Sequence, residues 1–357
     1  MNIDFHYGVI YVTSRLAGMS REQAQTIAHA CQYVDDATTR GILHFEGGET
    51  FERFASAHVM YDYKNGMDDE NRVIWAPFHF LPGGQGDTLE EKSVCRQDSE
   101  IAREMVRRAI DNRHATNALH RLGVSLHVYV DTWAHQGFCG TESKHNTVLF
   151  LEGDHHDHAT WLSKLEDMLA DTVHNVEAVG LDVISGLGHG GALHFPDMPW
   201  ATWKYRNGHL MEIQRNNLPD FVQAADMACK VVQGFLNGNR QYDTERGLPP
   251  EAKAALQDLL ASNRDHDGDK RLGVLMHSIA EGKVPGVAED IPVYIAKGVS
   301  SWKFAATGIA DKGDGETKPQ WSPAFEDSDY RRFHDAIKEH RFVVTQEILP
   351  SHGVRLA

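Results

Sequence analysis

Residues 126–138 read LHVYVDTWAHQGF, and the polar groups in this apolar, aromatic run are His127, Asp131 and His135, spaced four apart. On an α-helix such positions lie above one another on one face, so the three side chains form a ridge about 12 Å long. A carboxylate flanked by two imidazoles is either a metal-ligand arrangement or a buried hydrogen-bond network. Other ionisable residues also sit in apolar settings: His6 in IDFHYGVIYV, Asp35 and Asp36 in QYVDDAT, His79 in WAPFHFLPG, and His189 with Asp197 in GLGHGGALHFPDMPW. Burying an unpaired charge is costly, so each of these must be hydrogen-bonded, ion-paired or bound to a metal. Taken singly, each has an ordinary reading as a core histidine, a helix end or a proline-rich turn. Taken together they are the imidazoles and carboxylates that zinc prefers, and that manganese or iron also accept. Several of them converging from separate helices would suit a hydrolytic centre in which cations activate water and polarise a phosphoryl oxygen. Trp75, Phe80 and Trp133 are candidates for the walls of such a cleft, or for plain core.

The elements that must position these residues read as helices. Ser20 followed by Gln23 is a capping-box pattern, and Ala24, Ile27, Ala28, Cys31 and Val34 recur at helical spacing over 20–38. Further helices are predicted over 51–61, 99–112, 115–135, 159–179, 218–238 with a glycine stop, and 249–262, with a terminal helix from Asp329 onward. Residues 73–84, closed by Pro82-Gly83-Gly84, read as a buried loop or short extended piece. With no period-two strand series, the expected class is all-α: a multi-helix bundle with irregular loops and a C-terminal extension. One domain over 1–357 is expected, with the metal-site core in about 1–210 and helical decoration in about 240–357. The one linker-like stretch is 310–323.

Composition narrows the function classes. The chain has 357 residues, 35 basic against 51 acidic, for a formal charge of −16, which argues against an extended nucleic-acid surface or adhesion to anionic lipid. Four scattered cysteines form no CxxC pair and read as reduced thiols. Twenty-two histidines are a surplus for this length, although the run DHHDH at 154–158 reads as solvent-exposed. No window is a transmembrane segment, and the start lacks the basic and apolar regions of a secretory signal. The expected address is the cytoplasm, or export without a cleaved signal.

The ordered set His6, Asp35 or Asp36, His79, His127-Val-Tyr-Val-Asp131 and His135 resembles the ligand order of the zinc-dependent phospholipase C and fungal single-strand nuclease superfamily. The resemblance implies a helical protein with one to three zinc ions that cleaves phosphodiester or phospholipid bonds. It puts the family's HxxxD pair on His127 and Asp131, with Asp131 bridging metals, and His6 and His79 beside them. Asp35 or Asp36 becomes a further ligand or the base that orients water, and His135 and His189 complete a second site. Much of the chain also resembles an uncharacterised bacterial family with the segments DFHYG, QYVDDAT, PFHFLPG and HVYVDTWAHQGF, which carries no activity across. The leading expectation is a metal-dependent hydrolase of a small-molecule or phospholipid ester. Two alternatives stand beside it: an HD-type metal phosphohydrolase, for which His334-Asp335 is an adjacent pair, and a non-catalytic helical binding protein.

Overall fold

The computed structural model describes residues 1–58, 72–153, 188–310 and 318–356. The chain begins with a π-helical turn, Asp4–Val9, that runs directly into α1 (Ile10–Ala17). α2 (Arg21–Asp36) starts at the expected capping box: Gln23 N–H donates to Ser20 Oγ, and Ser20 N–H donates to Gln23 Oε1. α3 (Glu100–Asp111) is capped by Ser99, and α4 (Ala118–Ala134) carries His127 and Asp131. α5 (Asn217–Asn237) stops at Gly238, whose φ of 67° is the left-handed conformation that glycine adopts without strain. α6 (Pro250–Ser262), α7 (Gly268–Ala280) and α8 (Asp329–Phe342) follow, the last continuing into a π-helical turn, Val343–Ile348. The predicted helix over 159–179 and the histidine run at 154–158 lie outside the described residues, as does most of the linker-like stretch.

The all-α expectation is overturned by two small antiparallel sheets, which make this a helix-rich mixed α/β chain. β1 (Gly41–His44) pairs with β2 (Thr50–Arg53), with Ile42 opposite Glu52 and Leu43 opposite Phe51. Phe51 and Arg53 point inward while Thr50 and Glu52 point out, so the period is two where the sequence suggested a helix. β3 (Leu149–Gly153), β4 (Thr202–Arg206) and β5 (Glu212–Asn216) form the second sheet in that order. Trp203 and Tyr205 face the core from β4, between outward Thr202, Lys204 and Arg206. Residues 73–84 hold a short helix, Trp75–Phe78, before a single bridge from Pro82 to Cys95.

Two apolar clusters fill the interior. The larger lies among the helices, and the smaller gathers Phe80, Phe138, Phe195, Trp200, Trp203 and Tyr205 under the three-stranded sheet. Residues 126–138 run from the first cluster to the second, which places their polar ridge at the seam. No helix among the described residues is long and apolar enough to cross a membrane.

α2 and α4 approach closely because Gly123 has no side chain. A Cβ there would stand 2.5 Å from Ile27 O, 2.7 Å from Ala30 Cβ and 3.0 Å from Cys31 N. Two of those three neighbours are backbone, so neither helix can yield cheaply. Gly123→Ala is expected to push α4 off α2 and cost about 1–3 kcal/mol of stability, read by urea unfolding; an unchanged midpoint would mean that the two helices are not in tight register.

Candidate metal centre

Five pieces of chain deliver the site. The N-terminal π-helical turn brings His6, the last turn of α2 brings Asp35, and the residue after the short helix Trp75–Phe78 is His79. α4 brings His127 and Asp131 from its buried face, and His135 caps its C-terminus. His189 and Asp197 come from the irregular segment before β4, where His189 caps one short 3₁₀ turn and Asp197 ends another.

The histidines are oriented by backbone carbonyls. His127 Nδ1 lies 2.8 Å from Cys31 O, His79 Nε2 2.9 Å from Ser56 O, His135 Nδ1 2.7 Å from His79 O, and His189 Nδ1 3.0 Å from Leu193 O. A carbonyl only accepts, so each of these nitrogens carries the proton and donates. In a singly protonated ring the opposite nitrogen is then a bare lone pair. At His127 and His79 these nitrogens face each other and a carboxylate, with His127 Nε2 3.3 Å from His79 Nδ1 and 3.4 Å from Asp131 Oδ2, while His135 Nε2 lies 3.4 Å from the Met1 α-amine. Asp131 Oδ2 is fully buried and receives no hydrogen bond. Acceptors facing acceptors in a buried pocket are unfavourable unless a proton or a metal cation stands between them.

Their spacing fits such a cation. His79 Nδ1, His127 Nε2, Asp35 Oδ1 and Asp131 Oδ2 stand 3.3, 3.4, 3.7, 3.7 and 3.8 Å apart over five of their six pairs. Ligand atoms of a tetrahedral zinc with bonds of about 2.0–2.1 Å stand about 3.3–3.4 Å apart. Asp131 uses its other oxygen elsewhere: Oδ1 lies 3.0 Å from His6 Nε2 and 2.5 Å from the Met1 α-amine. His6 Nδ1 is 3.1 Å from Asp35 Oδ2, so this ring lies between two carboxylates. A further group gathers beyond the α-amine. His135 Nε2 lies 3.3 Å from Asp197 Oδ1, His189 Nε2 is 3.4 Å from Asp197 Oδ2, and Met1 N is 3.2 Å from Asp197 Oδ1. Asp131 thus stands between two ligand groups, and the α-amine joins it to the third.

The electrostatics follow from three carboxylates crowded into one pocket. Burial opposes charge on Asp131, and His135, the α-amine, His6 and His127 outweigh it, holding the carboxyl well below its ordinary range. Burial is likewise outweighed at Asp35, whose carboxyl His127, His6 and His79 hold down at about 2. Burial pushes His127 down to about 4, helped by His6, and pushes His189 down to about 4 against the pull of Asp197. His127 and His189 are therefore neutral at pH 7, the form that ligates.

Of the residues singled out from sequence, His6, Asp35, His79, His127, Asp131, His135 and His189 come together, with Asp197 beside His189. Asp36 does not join them. One residue further round the helix, it turns away and accepts from Tyr294 Oη at 2.7 Å and Gln32 Nε2 at 3.2 Å. Of the aromatic residues, Phe80 stacks on His135 with ring centroids 4.7 Å apart, and Trp75 lies 4.9 Å from His79. Trp133 is core, with its indole N–H donating to Gln223. His334 is buried against the Phe54 backbone, and its neighbour Asp335 faces Arg331. Sequence reasoning did not find the α-amine or the four carbonyls, which carry no side-chain signature.

Residues 1–348 match the family described as DUF6765, a family of unknown function, and the chain belongs to it. No curated protein and no solved structure matches the chain.

If a cation relieves the opposed lone pairs, protein stripped with a chelator should gain stability on adding zinc, by about 4 kcal/mol when the free ion is about 1,000 times its Kd. Asp131→Asn should lose most of that gain, because an amide offers one weak oxygen where the carboxylate serves two groups. Thermal melts of both proteins with and without zinc measure this, and equal gains in the two would reject the shared-carboxylate arrangement.

Proposed function

We propose that this protein is a metal-dependent hydrolase acting on a phosphodiester or phospholipid ester. The observation that carries the reading is the close approach of His79 Nδ1, His127 Nε2 and Asp35 Oδ1 to one another beside the buried, donor-less Asp131 Oδ2. Two imidazoles and two carboxylates make a zinc site, and manganese or iron tolerate the same donors. The adjoining groups, His6 with His127 and Asp131, and His135 with His189 and Asp197, allow one to three ions, the first of these groups sharing the single free nitrogen of His127 with His79 and Asp35. Cations held so close together activate water for attack and offset the charge that builds on a phosphoryl group and its leaving oxygen.

The chain's own residues have distinct tasks in this reading. Cys31 O, Ser56 O, His79 O and Leu193 O keep each ring in the tautomer that ligates, and Asp131 holds two ligand groups in register. Asp35 is the most solvent-accessible carboxylate of the three, with 34% of its side chain exposed, and the substrate approaches on that side. There it serves as a further ligand or as the base that orients the attacking water. Gln32 Nε2 donates to Asp35 Oδ2 at 3.4 Å and to Asp36 Oδ2 at 3.2 Å, which ties the two neighbouring carboxylates together. The resemblance of the ordered ligand set to the zinc-dependent phospholipase C and single-strand nuclease superfamily agrees with this chemistry. The net charge of −16 favours a small or lipid ester over a long nucleic acid.

The HD-type alternative loses its ground in the His334-Asp335 pair, whose imidazole is committed to the Phe54 backbone. The non-catalytic reading is separated by one experiment: elemental analysis of untagged protein, then hydrolysis of a phosphodiester panel with and without chelator. Bound zinc, chelator-sensitive hydrolysis, and loss of both in His127→Ala and Asp131→Ala are expected, with activity falling by at least about 100-fold. Hydrolysis that survives complete removal of metal would defeat the proposal, and metal without hydrolysis of any ester would leave a binding protein in its place.

A further inference from the structure

A second constellation of ligands lies outside this centre. Glu90, His145 and His209 each offer one donor atom, and the three atoms lie within 4.8 Å of one another. They come from three separate pieces of chain: the short helix Leu89–Ser93, the 3₁₀ turn Lys144–Asn146, and the turn that joins β4 to β5. The two imidazole rings are 4.7 Å apart between centroids, and His209 Nε2 lies 3.5 Å from Glu90 Oε1.

The backbone holds these donors in place. Ser143 Oγ and Lys144 N–H donate to Glu90 Oε1 at 2.8 and 3.0 Å, which fixes the carboxylate against the turn that carries His145. Gly208 N–H donates to Lys144 O at 2.9 Å, seating the tip of the hairpin on the same turn. Only glycine permits that contact, since a Cβ on Gly208 would stand 2.7 Å from Lys144 O. Asn207 Oδ1 accepts from the N–H groups of His209 and Met211 and so sets the direction in which His209 leaves the turn. Two imidazoles and a carboxylate, fixed on three strands of backbone and open to solvent on one side, are the donors of a borderline divalent cation with a fourth position left for water.

We propose that Glu90, His145 and His209 bind one divalent cation of the zinc class, separate from the buried centre, and that the ion pins the β4–β5 hairpin to the 143–146 turn. Being partly exposed and built from three protein donors, the site fills at higher ion concentration than the buried one. The turn it secures is anchored by Asn146, whose side chain brackets Cys139 by accepting from its N–H at 2.7 Å and donating to its carbonyl at 3.1 Å. Cys139 lies four residues beyond His135, which ties the outer ion to the end of α4.

Neither this proposal nor its test depends on the hydrolase reading. The full-length protein, stripped with chelator, is dialysed against a rising series of free zinc, and bound zinc is counted by elemental analysis. At saturation the unaltered protein is expected to hold one more equivalent than either His209→Ala or His145→Ala. Asp131→Asn should keep that late equivalent whatever happens to the buried ones. Thermal melts across the same series should show a final upward step that both histidine variants lack. Equal zinc stoichiometry in the unaltered protein and both variants would overturn the proposal, as would loss of the late equivalent in Asp131→Asn with its retention in His209→Ala.

Discussion

The carbonyls of Cys31, Ser56, His79 and Leu193 each accept a hydrogen bond from one imidazole N–H, and the character of the buried centre follows from that commitment. Once Nδ1 of His127 and Nε2 of His79 are occupied with backbone, their other nitrogens are left as acceptors 3.3 Å apart beside the unsolvated oxygen of Asp131. In a purely structural histidine cluster, one ring would turn to donate to its neighbour. Here the backbone prevents it, and the pocket keeps an arrangement of acceptors that a further proton or a metal cation would satisfy.

The fold exists in a form that makes those commitments possible. Cys31 O is a helix carbonyl, and His127 reaches it only because Gly123 lets α4 lie directly on α2. Ser56 O belongs to the segment after β2, itself anchored by Ser56 N–H donating to Ala37 O and by its hydroxyl donating to Val34 O. At the far end, Arg215 from β5 donates to the carbonyls of Trp133, Ala134 and Gln136 and closes the C-terminus of α4 where His135 leaves it. The small sheet is thus part of the support for the helix that bears the central ligands.

Much of the centre was legible because its residues break a pattern. His127, Asp131 and His135 interrupt an apolar helical face, and His6 and His79 sit in aromatic surroundings, so the need for a partner is visible in the order of residues. The choice between Asp35 and Asp36 was not, since adjacent helix positions differ only by a rotation that depends on how α2 is packed. The sheets escaped for another reason. Their strands are four or five residues long, with Lys204, Arg206, Glu212 and Arg215 among them, and short runs of this kind carry less periodic signal than the helices around them. Even so, Trp203 and Tyr205 alternating with polar residues ahead of Asn207-Gly208 is a hairpin signature. The backbone partners of the imidazoles leave no mark in the sequence at all.

The residue two before His6 is Asp4, whose carboxylate receives both Nε and Nη2 of Arg271 in a buried pair at 2.8 and 2.9 Å. Around it Tyr7 donates to Pro292 O, Tyr11 to Glu289 and Tyr294 to Asp36, so the last third of the chain grips the first from several directions. Desolvated ions of this kind tolerate no loss of one partner. A hybrid joining the opening segment of this chain to the C-terminal third of a relative would therefore stay whole only where both sides of each grip were transplanted as a set, which makes residues near position 271 co-owners of a pocket they never touch.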